Sequence, residues 1–153
     1  YTLVEKTYQS QKLKPYFRKA AFSYYSILQI KNQCKSFIVK DRTGKSIAAV
    51  FIVWDRRTAY ALLSGYNYES GNSNAGSLAL WEAIKFVQKE LNLKEFDFCG
   101  SMIPRIEYFL RQFGGELTPV YVVEWSKPGI KLLVKAYSIA KDLSSKVINW
   151  PSR

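Results

Sequence analysis

The sequence predicts a single α+β domain, residues 1–153, whose mixed sheet begins as an antiparallel meander and continues as β-α-β-α-β. Three observations favour this class. The length suits one domain with a sizeable core. Apolar runs with strand and helix periodicity follow one another in the order ααβββαβαβα. No apolar run approaches the ~20 residues that a membrane-spanning helix needs.

The first part of the chain predicts two helices, or one kinked helix, followed by three strands. Pro15 separates the helices, because proline interrupts a helix. The strands are β-branched and aromatic runs joined by tight turns, one of which contains Gly44. The predicted helices cover Leu3–Leu13 and Tyr16–Ile30, and the predicted strands cover Ser36–Lys40, Ile47–Trp54 and Ala59–Leu63.

A polar loop, Ser64–Ser77, leads into an amphipathic helix predicted over Leu78–Leu91. A loop of small residues at a helix start leaves backbone amides pointing outward, beside the positive end of the helix dipole. This arrangement binds phosphate in many proteins. The same residues are also explained by an ordinary surface helix with Ser77 as its N-cap. The candidate phosphate-binding residues are Gly71, Asn72, Ser73, Asn74, Ala75, Gly76 and Ser77.

The last part of the chain predicts two strands and two helices. Pro104 favours a helix start, and Gly114 with Gly115 favours a helix end. The predicted elements are strand Glu95–Cys99, helix Ile103–Phe113, strand Pro119–Trp125 and helix Gly129–Val147.

The absence of histidine removes the commonest general base and the commonest metal ligand. Any chemistry then depends on Asp, Glu, Tyr, Lys, Cys or backbone amides, and we predict no metal site. Cys34 and Cys99 lie in apolar stretches without metal-site or redox spacing, and we expect both to be reduced core thiols.

The formal charge of +11 favours polyanionic partners such as RNA, nucleotide phosphates or anionic lipid headgroups, while ordinary solubilising lysine remains the alternative. Lysines between Lys127 and Lys146 would lie on the last predicted helix, which could contact a membrane surface.

Tyr66, Tyr68 and Glu69 are the candidate catalytic residues. The two tyrosines lie in the polar loop, where a phenol could donate a proton or line a substrate channel. The other aromatic residues, after this loop, have strand or helix spacing and are expected to pack in the core.

Several stretches in order along residues 1–126 resemble the GNAT superfamily, and within it the Fem-type, methicillin-resistance-factor-like aminoacyltransferases that form peptidoglycan bridges. The "DF-x-GS" pattern at Asp97 and the "FGG" pattern at Phe113 are moderately specific as a set. The stretches are Ile47–Phe51, Ala59–Gly65, Asn74–Ile84, Phe96–Ile103, Phe109 and Phe113–Gly115.

The resemblance implies attack of an amine on an activated acyl group, with backbone amides near a splayed strand pair holding the oxyanion. The donor would be an aminoacyl-tRNA in the Fem-type version, or an acyl-coenzyme A on the Gly71–Ser77 loop. Tyr8 and Gln11 of the first helix would border the acceptor. The Fem-type version implies an N-terminal GNAT domain in a longer tandem chain. It also implies a peptidoglycan precursor as acceptor, in the cytoplasm or at the inner membrane face.

The sequence also departs from the family pattern. Residues 72–76 only approximate the usual pyrophosphate signature, and Cys99 and Leu110 stand where relatives often have glutamate and lysine. Two alternatives therefore stay open: a coenzyme A-dependent N-acyltransferase of a small amine, and a non-catalytic basic module that docks RNA or a membrane.

Overall fold

The structure is a computed structural model. It describes residues 1–13, 18–71, 74–100 and 103–119, together with residues 121, 123, 125, 129, 130, 136 and 137. The chain divides into two compact units, Tyr1–Glu116 and Leu117–Arg153. In the second unit, four described residues are helical, and most of the predicted helix Gly129–Val147 lies outside the described residues. The predicted strand Pro119–Trp125 also lies partly outside them.

The helices and strands of the first unit follow the predicted order. The helices are α1 Thr2–Ser10, α2 Arg18–Ile30, α3 Ala75–Lys89 and α4 Pro104–Arg111, with a short 3₁₀ helix at Tyr68–Ser70. The strands are β1 Cys34–Lys40, β2 Ser46–Trp54, β3 Thr58–Tyr66 and β4 Glu95–Asp97. The predicted mixed α+β architecture is confirmed.

The four strands form one sheet in the order β1-β2-β3-β4. The first three pair antiparallel, and β4 pairs parallel to β3 after the α3 crossover. In the β2–β3 turn, the Asp55 carboxylate accepts hydrogen bonds from the backbone N–H groups of Arg57 at 2.7 Å and Thr58 at 2.9 Å. These bonds, led by the one from Thr58, hold the Asp55 pKa below its ordinary value.

The helices cover opposite faces of the sheet, as adjacent residues of β2 show. Phe51 contacts the Tyr25 ring of α2, with ring centroids 6.1 Å apart. Its neighbour Ile52 is fully buried in the core that includes α3. On β1, Phe37 packs on Phe86 of α3 at 5.5 Å. Because side chains alternate along a strand, α3 covers one face and the α1–α2 pair covers the other.

Several predicted boundaries differ from those observed. α3 begins three residues earlier than expected, at Ala75, so Ser77 lies in its first turn and Asn74 is the N-cap. β3 extends to Tyr66 rather than Leu63, and β4 ends at Asp97 rather than Cys99. No helix among the described residues is long and apolar enough to cross a membrane.

Candidate active site

The parallel strands β3 and β4 are paired over three residues only. The last register pair joins Tyr60 to Asp97, and β3 then continues to Tyr66. Among the described residues, no strand pairs with residues 61–66 on this side of β3. A strand without a neighbour presents backbone N–H and C=O groups, so this edge can hydrogen-bond an extended ligand.

A β-bulge lies at the beginning of this unpaired half. Phe51 of β2 is opposite Leu63, and Ile52 is opposite Ala61, so Leu62 is an extra residue with no partner on β2. A bulge bends its strand and redirects the neighbouring backbone groups, and bulges are frequent beside active sites. This bulge could not be predicted from the sequence, because residues 61–63 are all apolar and fit any register.

The loop between β3 and α3 is fixed at its first residue. Asn67 is buried, its N–H donates to the Ile47 carbonyl at 2.8 Å, and its own carbonyl accepts from the Ser70 hydroxyl at 2.7 Å. Gly71 then adopts a left-handed φ of 65°. Two of the predicted phosphate-binding residues, Asn72 and Ser73, lie outside the described residues.

The first turn of α3 presents backbone amides. Leu78 donates to the Asn74 carbonyl at 2.9 Å, so the amides of Ala75, Gly76 and Ser77 precede the first hydrogen bond within the helix. A Cβ placed on Gly76 would have no heavy atom within 4 Å, so the space beside it is open. The helix dipole adds partial positive charge here, which favours an anion.

The structure brings the two candidate tyrosines together. Tyr66 ends β3 and Tyr68 begins the 3₁₀ helix, and their rings meet edge to face with centroids 4.8 Å apart. Tyr68 is about half exposed. The Glu69 side chain is 83% exposed, and its carboxylate lies 3.6 Å from the Lys6 ammonium. Such an exposed ion pair is typical of a protein surface.

Helix α1 lies against the end of β3, which places the predicted acceptor-side residues. The Tyr66 N–H donates to the Thr7 hydroxyl at 2.8 Å. A Cβ on Gly65 would lie 2.4 Å from backbone atoms of Leu3, so glycine is what allows this close approach. Tyr8 follows Thr7 in α1, and Gln11 is the C-cap of that helix; both side chains are half-buried.

Cys99 and Gly100 end the pairing of β4. Both residues have left-handed backbone, with φ of 56° and 57°, which cannot continue an extended strand. The prediction that both cysteines lie in the core is wrong for Cys99, which is exposed, while Cys34 is half-buried; both are free thiols. Partial desolvation, and then the charge of Asp97, raises the pKa of the Cys99 thiol, so the thiol is neutral at neutral pH.

Comparison with known proteins gives the same fold. The family described as "Acetyltransferase (GNAT) domain" matches residues 1–108. A search of curated proteins finds no significant match.

Three solved structures are similar in fold at low sequence identity. One is an aminoglycoside 6'-N-acetyltransferase, AAC(6')-IG from Acinetobacter haemolyticus, with a TM-score of 0.57 and 13% identity. The alignment covers 82% of this chain and 89% of that protein. A putative acetyl transferase from Pyrococcus furiosus has a TM-score of 0.53 at 12% identity, and the alignment covers 81% of this chain and 91% of that protein. AAC(6')-Iy, in complex with the bisubstrate analog CoA-S-monomethyl-acetylneamine, has a TM-score of 0.53 at 12% identity. The alignment covers 72% of this chain and 80% of that protein. The chain belongs to the GNAT acetyltransferase family.

Proposed function

We propose that this domain is an N-acyltransferase that moves an acyl group from acyl-coenzyme A to an amine. The observation that carries the proposal is the half of β3 that continues unpaired beyond the end of β4, beside the first turn of α3. The unpaired half offers a strand edge to an extended donor, and the helix start supplies amides for its phosphates. Residues 67–74 separate the end of β3 from the start of α3 along the chain.

The donor fits the residues present at the helix start. The amides of Ala75, Gly76 and Ser77 precede the first hydrogen bond within the helix and would hold the pyrophosphate. The structural similarity to AAC(6')-Iy, which was solved with a coenzyme A analog, supports this choice of donor. When bound, acyl-coenzyme A supplies a thioester carbonyl as the electrophile.

The reaction requires a new bond between the amine nitrogen and the acyl carbon, while the carbon–sulfur bond breaks. The amine loses a proton, and the leaving sulfur gains one. Backbone N–H groups of β3 near the Leu62 bulge would stabilise the developing oxyanion. The Tyr68 hydroxyl, held beside Tyr66, would give its proton to the sulfur, and the phenolate would recover the proton that the amine loses. Glu69, also predicted as catalytic, is exposed and paired with Lys6, which favours a surface role.

The finer Fem-type version stays a prediction from the sequence. It includes aminoacyl-tRNA as donor, a peptidoglycan precursor as acceptor, an N-terminal GNAT domain in the same chain, and a place at the inner membrane face. None of the comparisons supports these features, and we therefore prefer acyl-coenzyme A. The basic-module alternative depends on residues Lys127–Lys146, which lie almost entirely outside the described residues.

The test of donor binding is a calorimetric titration of the full chain with acetyl-coenzyme A. We expect saturable binding in the micromolar range, worth about 8 kcal/mol. Gly76→Pro removes one amide donor near a helix start, where proline is tolerated better than in a helix interior. The loss of one hydrogen bond to a charged group predicts about 10- to 100-fold weaker binding.

Gly76→Ala is the matched control, because it keeps the amide and adds a methyl group into open space. We expect the affinity of this variant to match that of the wild type. Thermal melts of both variants would confirm that they fold. A wild type that does not bind acetyl-coenzyme A, or a folded Gly76→Pro variant that binds it normally, would contradict the proposal.

The role of Tyr68 as proton donor is tested separately, by kinetics with an acceptor amine that the protein acylates. Tyr68→Phe removes only the hydroxyl and should lower kcat about 100-fold with little change in KM for the donor. Glu69→Gln should leave kcat within about twofold, because the exposed carboxylate is already neutralised by Lys6. The opposite ranking would assign the catalytic role to Glu69 instead.

A further inference from the structure

An apolar cavity of about 260 Å³ lies beneath α2, on the face of the sheet opposite α3. Its lining comes from α1, α2 and the first three strands, and includes Tyr1, Ala21, Tyr25, Phe51 and Leu63. Among the described lining residues, Ser36 is the one side chain that is neither aliphatic nor aromatic, and none is an acid or a base of the Asp, Glu, Lys or Arg type. The cavity therefore suits an apolar group rather than a charged one.

Tyr1 lines the cavity, and its hydroxyl has no hydrogen-bond partner among the described residues. The Tyr1 hydroxyl is buried, and it makes no hydrogen bond to the described residues. Its ring is held against the Phe22 ring at 5.7 Å, and the Arg18 guanidinium lies 5.8 Å from the ring centroid. An unpaired buried hydroxyl is unfavourable, so a turn of the Tyr1 ring that lets the hydroxyl donate to a ligand in the cavity would add affinity.

The cavity lies next to the proposed transfer site. Leu63 lines it and directly follows Leu62, the bulge residue of β3. A group bound beneath α2 would thus lie beside the strand edge on which the thioester carbonyl is proposed to be held. Position, as well as polarity, suits this cavity to the second substrate.

We propose that the cavity binds the apolar part of the acceptor, an amine that carries one aromatic ring or a short alkyl group with a hydrogen-bond acceptor for Tyr1. This proposal rests on the proposed N-acyltransferase function. A cavity of about 150 Å³ can hold benzene, whereas pockets for drug-sized ligands begin at about 300 Å³. The cavity beneath α2 therefore holds one ring with a few substituent atoms.

The same lining disfavours a polycationic acceptor. Recognition of several ammonium groups requires carboxylates, and the described lining contains none. The net charge of +11 adds a general repulsion of cations. The chain should therefore differ in acceptor from the aminoglycoside 6'-N-acetyltransferases whose fold it shares.

The test is a calorimetric titration of the full chain with 4-methoxyphenethylamine, whose ether oxygen can accept from Tyr1. Ala21→Leu fills the cavity from α2 and should weaken binding at least tenfold. Ala20→Leu, on the exposed side of the same helix, is the matched control and should bind like the wild type. Circular dichroism would check that both variants fold.

The hydroxyl is tested by a pair of probes. Tyr1→Phe should weaken binding of 4-methoxyphenethylamine about five- to tenfold. It should leave binding of 4-ethylphenethylamine, which has no ether oxygen, within twofold. Neamine, a polycationic aminoglycoside amine, should show no saturable binding.

The outcomes separate this proposal from the proposed function. No binding of 4-methoxyphenethylamine to the wild type, or equal binding to Ala21→Leu, would overturn the cavity proposal, as would saturable binding of neamine in its place. Such a result combined with normal acetyl-coenzyme A binding would leave the N-acyltransferase function standing. Probe binding that obeys both variant tests without acetyl-coenzyme A binding would support the amine cavity and overturn the donor.

Discussion

The two faces of the sheet differ in how completely they are filled. On the α3 face, the side chains of β2, β3 and α3 form a continuous core, and Ile52, Ala59 and Ala83 are fully buried. On the opposite face, Val4 and Ala21 are the only described residues of α1 and α2 that are buried. α2 leaves large apolar side chains exposed, and the cavity lies beneath it; the exposed residues are Phe22, Tyr24, Tyr25, Ile27 and Ile30.

The difference indicates that the α3 face mainly stabilises the fold and that the α2 face is suited to binding. Close packing gives the α3 face most of the apolar burial that stabilises the fold. The α2 face has few buried contacts, and regions of this kind open at low free energy and often carry binding sites. We infer that the loosely packed face is where the acceptor enters, while the α3 face fixes the strands that position it.

The largest expected effect tests this contrast directly. Ile52→Ala removes a fully buried side chain on the α3 face and should lower the free energy of unfolding by about 2–5 kcal/mol. Ile27→Ala on α2, where the side chain is about half exposed, should change it by no more than about 0.5 kcal/mol. Urea denaturation of both variants provides the measurement. Similar losses would mean that α2 is packed as tightly as α3, and the contrast would fail.

A second prediction concerns α1, the firmly attached part of the loose face. Gly65→Ala places a methyl group 2.4 Å from backbone atoms of Leu3 and Val4, which cannot move aside without shifting α1. We expect a loss of about 1–3 kcal/mol in the free energy of unfolding. Gly76→Ala is the control, since its methyl group meets nothing within 4 Å. A Gly65→Ala variant as stable as the wild type would show that α1 can shift away from β3, and that α1 is as loosely attached to the sheet as α2.

The sequence predicted the order and type of the first-unit elements because each has a clear local pattern. What it missed depends on contacts between distant residues. β3 extends to Tyr66, which pairs with Ala48 of β2 and hydrogen-bonds Thr7, 59 residues away. β4 is short because Cys99 and Gly100 adopt left-handed backbone conformations, and a cysteine does not predict such a conformation.

The candidate site was predictable in part for the same reason. The polar letters of the Ser64–Ser77 loop predicted the outward amides at the start of α3, although the helix begins earlier than Ser77 suggested. The loop prediction is wrong for Tyr66, which ends β3, and the ring contact between Tyr66 and Tyr68 was not predicted. The bulge and the cavity beneath α2 depend on register and packing, which no local pattern encodes.

Thr7 provides a smaller test of how α1 is held. Thr7→Val keeps the shape of the side chain but leaves the Tyr66 N–H without its acceptor at 2.8 Å. We expect a loss of about 1–2 kcal/mol in the free energy of unfolding, measured by urea denaturation. Thr7→Ser keeps the hydroxyl and should lose about half of that or less. Equal losses in the two variants would mean that the methyl group, rather than the hydrogen bond, attaches α1 to β3.

The smallest expected effect lies in the cavity of the loose face, at the Tyr1 phenol. Desolvation, and then the charge of Glu5, raises the pKa of Tyr1, while Arg18 lowers it. Glu5→Gln should therefore lower this pKa and Arg18→Gln should raise it, as measured by NMR titration of the labelled tyrosine ring. The raised pKa means that the folded protein holds the phenol proton more tightly than the unfolded chain.

The corresponding stability is present below the ordinary tyrosine pKa of about 10 and is lost as pH rises through the folded value. Glu5 and Arg18 also lie 3.2 Å apart, so each substitution leaves the other charge to act on Tyr1 without its partner, and the two shifts must have opposite signs. The absence of both shifts would mean that water reaches the hydroxyl and screens the two charges. In that case the α2 face would have no unpaired donor to offer a ligand.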